Sequence, residues 1–166
     1  MIEIRQITPE DWQVVKSVRL AALSEAPYAF LETLAAVSAR SDSAWREQTR
    51  ANAQGQTSTC ALAFLNNNPI GMAVGLFDPH RPKTAKLAAM WVAPEARGSG
   101  IADRLVDFIG RWAQAKSAAV LHAHVAGQNP RAIAFYRKYG FRPPQQEIVR
   151  TDDESKCETV MELSLT

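Results

Sequence analysis

The fold turns on Met90-Trp91-Val92-Ala93-Pro94-Glu95-Ala96-Arg97-Gly98-Ser99-Gly100-Ile101-Ala102. Upstream, Lys86 to Val92 reads as a largely buried strand. Downstream, Ile101, Leu105, Phe108 or Ile109, and Trp112 recur at helical spacing. The turn between them therefore joins a strand to a helix. Its glycines permit unusual backbone angles and close approach of a ligand, and the amides of the helix start suit phosphate oxygens. Arg97 can add a charge-assisted contact. No Lys-Ser or Lys-Thr pair follows the glycines, so this is not a Walker loop. The third glycine or alanine of a dinucleotide fingerprint, placed after an early strand, is also missing. By itself the turn is equally an ordinary strand-to-helix connection.

A second segment gives it a partner: Asn129-Pro130-Arg131-Ala132-Ile133-Ala134-Phe135-Tyr136-Arg137-Lys138-Tyr139-Gly140-Phe141. Asn129-Pro130 is a helix start and Gly140 a helix stop. Ala119 to Val125 is short and apolar enough for the strand before it. With Met90 to Pro94 and the Arg97 to Ala102 turn, this order resembles the GCN5-related N-acetyltransferase (GNAT) superfamily. Arg19 and Pro27-Tyr28-Ala29-Phe30 resemble a common variant of its helical region.

The resemblance implies an α/β (α+β) fold: a mixed, mostly antiparallel central sheet with splayed central strands and helices on both faces. It implies acetyl-CoA as cosubstrate and a small-molecule or peptide amine as acceptor. Backbone groups of Met90 and Val92 would bond the pantetheine arm. Amides across Arg97, Gly98, Ser99, Gly100, Ile101 and Ala102 would hold the pyrophosphate. Asn129 would contact the cofactor arm, and Tyr136 would direct its hydroxyl at the thioester sulfur. Arg19, Tyr28, Phe30, Glu32 and His124 are the candidates for the acceptor side. No metal is implied, and a homodimer is compatible with the family.

The rest of the chain fits one domain over residues 1–166. Ile2, Ile4 and Ile7 suggest a first strand, and Thr8-Pro9-Glu10-Asp11 starts a helix running to about Leu23. Residues 27–54 hold a second helical pattern, broken near Ser41-Asp42-Ser43. Thr57 to Leu65 and Ile70 to Phe77 read as strands joined by the polar turn Asn66 to Pro69, with a loop at Asp78 to Pro82. Phe141 is expected to begin a return strand, and Thr159 to Leu165 to be the last. Asp152-Asp153-Glu154 reads as a solvated loop. Strand–helix alternation over the second half points to a mixed sheet covered by helices.

Composition narrows the function. Hydrophobic residues are 46% and charged residues 22% of the 166, an ordinary globular balance. A formal net charge of +2 argues against a general nucleic-acid binder, whose affinity comes largely from phosphate neutralisation. No apolar run approaches a membrane span, and the N-terminus shows no secretory signal. Cys60 and Cys157 have neither metal-ligand spacing nor disulfide-scaffold density. A cytoplasmic protein with two packing thiols is expected.

Acyl transfer to an amine needs a neutral amine, stabilisation of a developing oxyanion, and a proton for the leaving thiolate. A backbone N–H near Met90 to Val92 suits the oxyanion, and Tyr136 suits the thiolate as general acid. The base is open. Leu87-Ala88-Ala89-Met90 carries no acid, which leaves Glu25, Glu32, His122, His124 or a water wire to one of them. Two other functions compete: a catalytically silent CoA-binding regulatory module and an unrelated nucleotide-binding protein. Bland roles compete as well, since Asn129 is a good N-cap and Phe135 and Tyr136 are good core aromatics.

Overall fold

The computed structural model describes residues 1–126, 129–145 and 158–166. Six strands form one sheet in chain order: β1 (Ile2–Gln6), β2 (Ser58–Leu65), β3 (Asn68–Phe77), β4 (Thr84–Val92), β5 (Val120–Ala126) and β6 (Glu158–Ser164). All neighbours are antiparallel except β4 and β5, which run parallel. The helices are α1 (Trp12–Glu25), α2 (Leu34–Ser38), α3 (Asp42–Gln54), α4 (Ile101–Ala115) and α5 (Pro130–Tyr139). A parallel pair cannot be closed by a tight turn, and α4 is the crossover that joins β4 to β5.

Side-chain alternation places helices on both faces of the sheet. Cβ atoms built on Gly71 and Gly75 would meet Leu105, Ile109 and Trp112, so that face carries α4. The missing side chains let the helix settle against β3. One residue out of phase, Arg5 pairs with Leu62 on the opposite face, and its guanidinium holds Asp11 at 2.8 Å where the chain enters α1. The core lies in both layers and includes the fully buried Leu62, Met72, Leu105, Ile109, Leu121 and Phe141.

Local signals set most boundaries. Thr33 and Ser41 cap α2 and α3 by accepting the amides of Ala36 and Ala44, each at 3.1 Å. The helical pattern of residues 27–54 is thus two helices, with Ser41 as the break. The β2–β3 turn is tighter than the expected Asn66 to Pro69. Asn66 and Asn67 alone take positive φ, as a two-residue hairpin needs, and Pro69 lies inside β3 beside a register shift at Ala63/Phe64. Gly140, at φ 131°, ends α5 as expected.

The return strand expected at Phe141 does not form among the described residues. Phe141 is a core residue, and only Arg142 pairs, bridging Glu162. Pro143 and Pro144 follow, and neither has an N–H to extend a ladder. Cys60 is buried and its thiol is pushed up to about 12 by burial, which makes it a packing residue. Cys157 and Asp152-Asp153-Glu154 lie outside the described residues. No described helix is long and apolar enough to cross a membrane.

Candidate active site

The site begins where β4 and β5 part. Their pairing covers only Thr84–Leu87 with Val120–Ala123, so Ala88 to Val92 has no partner on β5. On the other side of β4, Val74 pairs with Ala88 but Met72 with Trp91. Ala73 alone therefore stands opposite Ala89 and Met90, which is a β-bulge. Ala89 adopts φ 50° there, a left-handed conformation that costs a non-glycine residue about 1–2 kcal/mol. The bulge turns the backbone of Ala89 and Met90 out of the ladder at the mouth of the splay.

Two cavities open from this gap. One, of about 410 Å³, lies over the glycine turn and touches Met90, Val92, Arg97, Gly98, Gly100, Ile101 and Ala102. The other, of about 580 Å³, lies beneath α1 and touches Arg19, Glu32, Lys86, Ala88 and His124. Ala29, Phe30, Met90, Asn129, Ala132 and Tyr136 line both, so the cavities meet at those six residues.

Over the turn, Gly98 and Gly100 have φ 81° and 83°, and a Cβ on either would meet nothing within 4 Å. Gly100 caps α4. No described group accepts the amides of Gly98 to Asp103, which leaves the donors of the helix start facing outward. Arg131 and Lys138 also line this cavity, where Asp103 is the one acid among the described residues. The open cradle, free amides and excess of cations fit a phosphate-bearing ligand.

Arg97 is less free than its sequence position suggests. Its Nε donates to the Val92 carbonyl at 3.0 Å and its Nη2 to Glu25 at 2.9 Å. Trp91 Nε1 donates to the same Glu25 oxygen at 2.9 Å. Burial works to raise the Glu25 carboxyl, but the hydrogen bonds from Arg97 and Trp91 prevail and hold it below the usual range. Glu25 is thus the far end of a strut from α1 to the turn, which removes it from the candidate bases. Ser99 lines neither cavity; its hydroxyl donates back to the Ala96 carbonyl.

Asn129 performs two tasks. Its Oδ1 accepts the Ala132 amide at 3.2 Å and caps α5, while the residue lines both cavities. Tyr136 follows two turns later, only 6% exposed. Its ring is held at its edges by Phe135 and Phe141, with centroids 5.2 and 5.0 Å away. Burial pushes its phenol upward, so it stays protonated at neutral pH. The aromatic packing positions the ring, and the cavities leave the hydroxyl something to meet.

Beneath α1, Arg19 is buried and its Nη2 donates to Glu32 at 3.1 Å. Arg40 takes the other Glu32 oxygen. The Phe30 ring lies 4.6 Å from the Arg19 guanidinium carbon. Both Glu32 oxygens are thus engaged by guanidinium groups. His122 bonds Glu162 at 2.7 Å and lines neither cavity, whereas His124 lines the cavity beneath α1. Tyr28, expected on the acceptor side, lines the cavity over the turn instead.

Sequence reasoning missed Lys86, Arg131 and Lys138. Lys86 was legible as the single charge in an otherwise apolar strand. Arg131 and Lys138 sit on the helix already singled out, seven residues apart and so on one face. The strut from Glu25 to Arg97 had no signal, since 72 residues separate its ends.

The fold and the cavities together define a splayed α/β sheet with a two-part site, and comparison with known proteins gives the family. The chain matches the Acetyltransferase (GNAT) family over residues 19–141. It is similar to the PaiA N-acetyltransferase of Thermoplasma acidophilum in complex with coenzyme A, at 19% identity and TM-score 0.73 over 99% of both chains. It is also similar to a GNAT acetyltransferase of Streptococcus pneumoniae, at 20% identity and TM-score 0.77 over 99% of both chains. A third is YncA, a putative acetyltransferase of Salmonella typhimurium with acetyl-CoA, at 17% identity and TM-score 0.75 over 100% of this chain and 95% of that one. This chain belongs to the GNAT family and is an acetyltransferase.

Proposed function

We propose that the protein transfers an acetyl group to a primary amine by direct attack within a ternary complex. The observation that carries this reading is the meeting of two cavities at Tyr136, one suited to a phosphate-bearing cofactor and one left for an acceptor. Among the described residues, no cysteine, serine or threonine lines either cavity, which supports transfer without a covalent enzyme intermediate.

Acetyl-CoA, when bound, supplies an activated acetyl thioester. The amides from Gly98 to Ala102 would hold its pyrophosphate, with Arg131 and Lys138 adding charge; Met90, Val92 and Asn129 would hold its arm. The backbone at the Ala89–Met90 bulge offers a donor for negative charge developing on a carbonyl oxygen. Tyr136 would direct its O–H at the departing sulfur. An ordinary thiol has a pKa of about 8.5 and an ordinary phenol about 10, and burial widens that gap here. Complete proton transfer from the phenol is therefore uphill, and its contribution is chiefly a hydrogen bond to the departing sulfur. His124 would take the proton of the amine, directly or through water.

The test is a screen of amine acceptors that reads released CoA thiol and confirms the acetylated product by mass. Acetyl-CoA binding with no transfer to any amine would reduce the protein to a CoA-binding module.

A further inference from the structure

The acceptor cavity has a charge pattern that a simple amine does not explain. Arg19 and Lys86 line it, with His124 beside them. Its one acid among the described residues, Glu32, is already shared between Arg19 and Arg40. Lys86 has only a long contact, 3.7 Å, to Asp78. A polyamine would bring further positive charge into this space, where repulsion is stronger than in bulk water.

Arg19 adds a sharper observation. It is only 7% exposed, and its Nη1 is buried with no hydrogen-bond partner. Proteins rarely leave a buried donor on a charged group unsatisfied, and the planar guanidinium fork is matched in shape and charge to a carboxylate. The neighbouring Nη2 already holds one carboxylate, that of Glu32.

We propose that the acceptor carries a carboxylate beside its amine, and that Arg19, with Lys86 across the cavity, holds that carboxylate. The inference rests on the transferase reading above and names its substrate class: a small amino acid rather than a polyamine. A cavity of about 580 Å³ falls in the usual range for small ligands, about 300–1,000 Å³. The Phe30 ring stacks on the Arg19 guanidinium, and a turn of that ring would open the guanidinium to the cavity. Phe30 is half-buried on the irregular stretch before α2, where no helix or strand fixes its backbone. The ligand then brings its own counter-charge to the cation that the protein leaves half satisfied. Its amine extends towards Tyr136 and Met90, where the two cavities meet.

The experiment compares α-, β- and γ-amino acids with their carboxamides and with putrescine and spermidine, reading released CoA thiol and product mass. Wild type should favour the carboxylate of the best pair by about 10- to 100-fold in kcat/KM, the span of a charge-assisted hydrogen bond. Calorimetry on the CoA-saturated protein should show the same preference without turnover. Arg19→Gln should erase the preference, and Arg19→Lys should restore part of it. If the Arg19 variants do not fold, Lys86→Gln should still narrow the preference by about threefold. Equal or better use of carboxamides or polyamines would overturn the proposal while leaving the transferase reading intact. Failure of every amine, with acetyl-CoA binding retained, would remove the transferase reading and this inference with it.

Discussion

The cavity over the glycine turn and the cavity beneath α1 meet at the same six residues, yet they are built from different materials. The first is mostly backbone: amides from Gly98 to Asp103, two glycines at positive φ, and the start of one helix. The second is mostly side chain: Arg19 from α1, Glu32 from the following loop, Lys86 from β4 and His124 from β5. A ligand read by backbone constrains the chain to a short contiguous pattern. A ligand read by side chains asks only that distant residues arrive together.

Tyr136 stands at the junction and gives the largest expected effect. Removing its hydroxyl in Tyr136→Phe keeps the ring that Phe135 and Phe141 hold. If the hydroxyl serves the departing sulfur, the single-turnover rate should fall about 10²- to 10³-fold, the loss of one donor to developing charge. Acetyl-CoA affinity should change little, because the backbone cradle remains. A purely packing role would lower the melting temperature and leave single-turnover chemistry near the wild-type rate. That outcome would place the junction elsewhere.

Gly100→Glu tests the backbone side alone. The substitution forces a side chain onto a φ of 83° and projects a carboxylate from the helix start into open space. Negative charge there suits the helix itself, so the fold should persist. The same charge repels phosphate, and the added bulk blocks close approach. Acetyl-CoA affinity should drop by about 2–3 kcal/mol, the loss of one or two charge-assisted hydrogen bonds, when followed by calorimetry. Gly100→Ala separates strain from charge and should lose far less. Unchanged affinity in a folded Gly100→Glu protein would take the cofactor out of this cradle.

The same division decides what could be read from the chain. Gly98, Gly100, Asn129 and Gly140 were legible because each meets a local need, a left-handed turn or a helix cap, within a few residues. The β4 strand was legible from its apolar run, but its bulge was not, because Ala89 carries no residue-type signal for a φ of 50°. Phe141 was correctly apolar and wrongly a strand start: its burial answers to the aromatic cluster with Tyr136 and Tyr139. The pairing of Arg19 with Glu32 and Arg40 depends on how α1, α2 and the intervening loop pack. His122 and His124 occupy alternate positions on β5, yet Glu162 engages the first and the cavity beneath α1 receives the second.

The smallest effect concerns the tie between the two regions. Glu25 ends α1, the helix that carries Arg19, and it holds Arg97 at the entrance to the glycine turn. The Glu25 carboxyl lies below its ordinary value of 4.5 in the folded protein. Its contribution is therefore present above about pH 4.5 and is lost as pH falls through the lower folded value. Glu25→Gln should cost about 0.5–1 kcal/mol at pH 7, the range for a partly solvated ion pair, or about 2–3 °C in melting temperature. The gap between wild type and variant should shrink steadily below pH 4.5. Arg97→Gln breaks the same tie from the other end, so the double variant should lose little more than either single one. Additive losses, or a gap unchanged at pH 3.5, would mean that Glu25 and Arg97 stabilise their two regions separately.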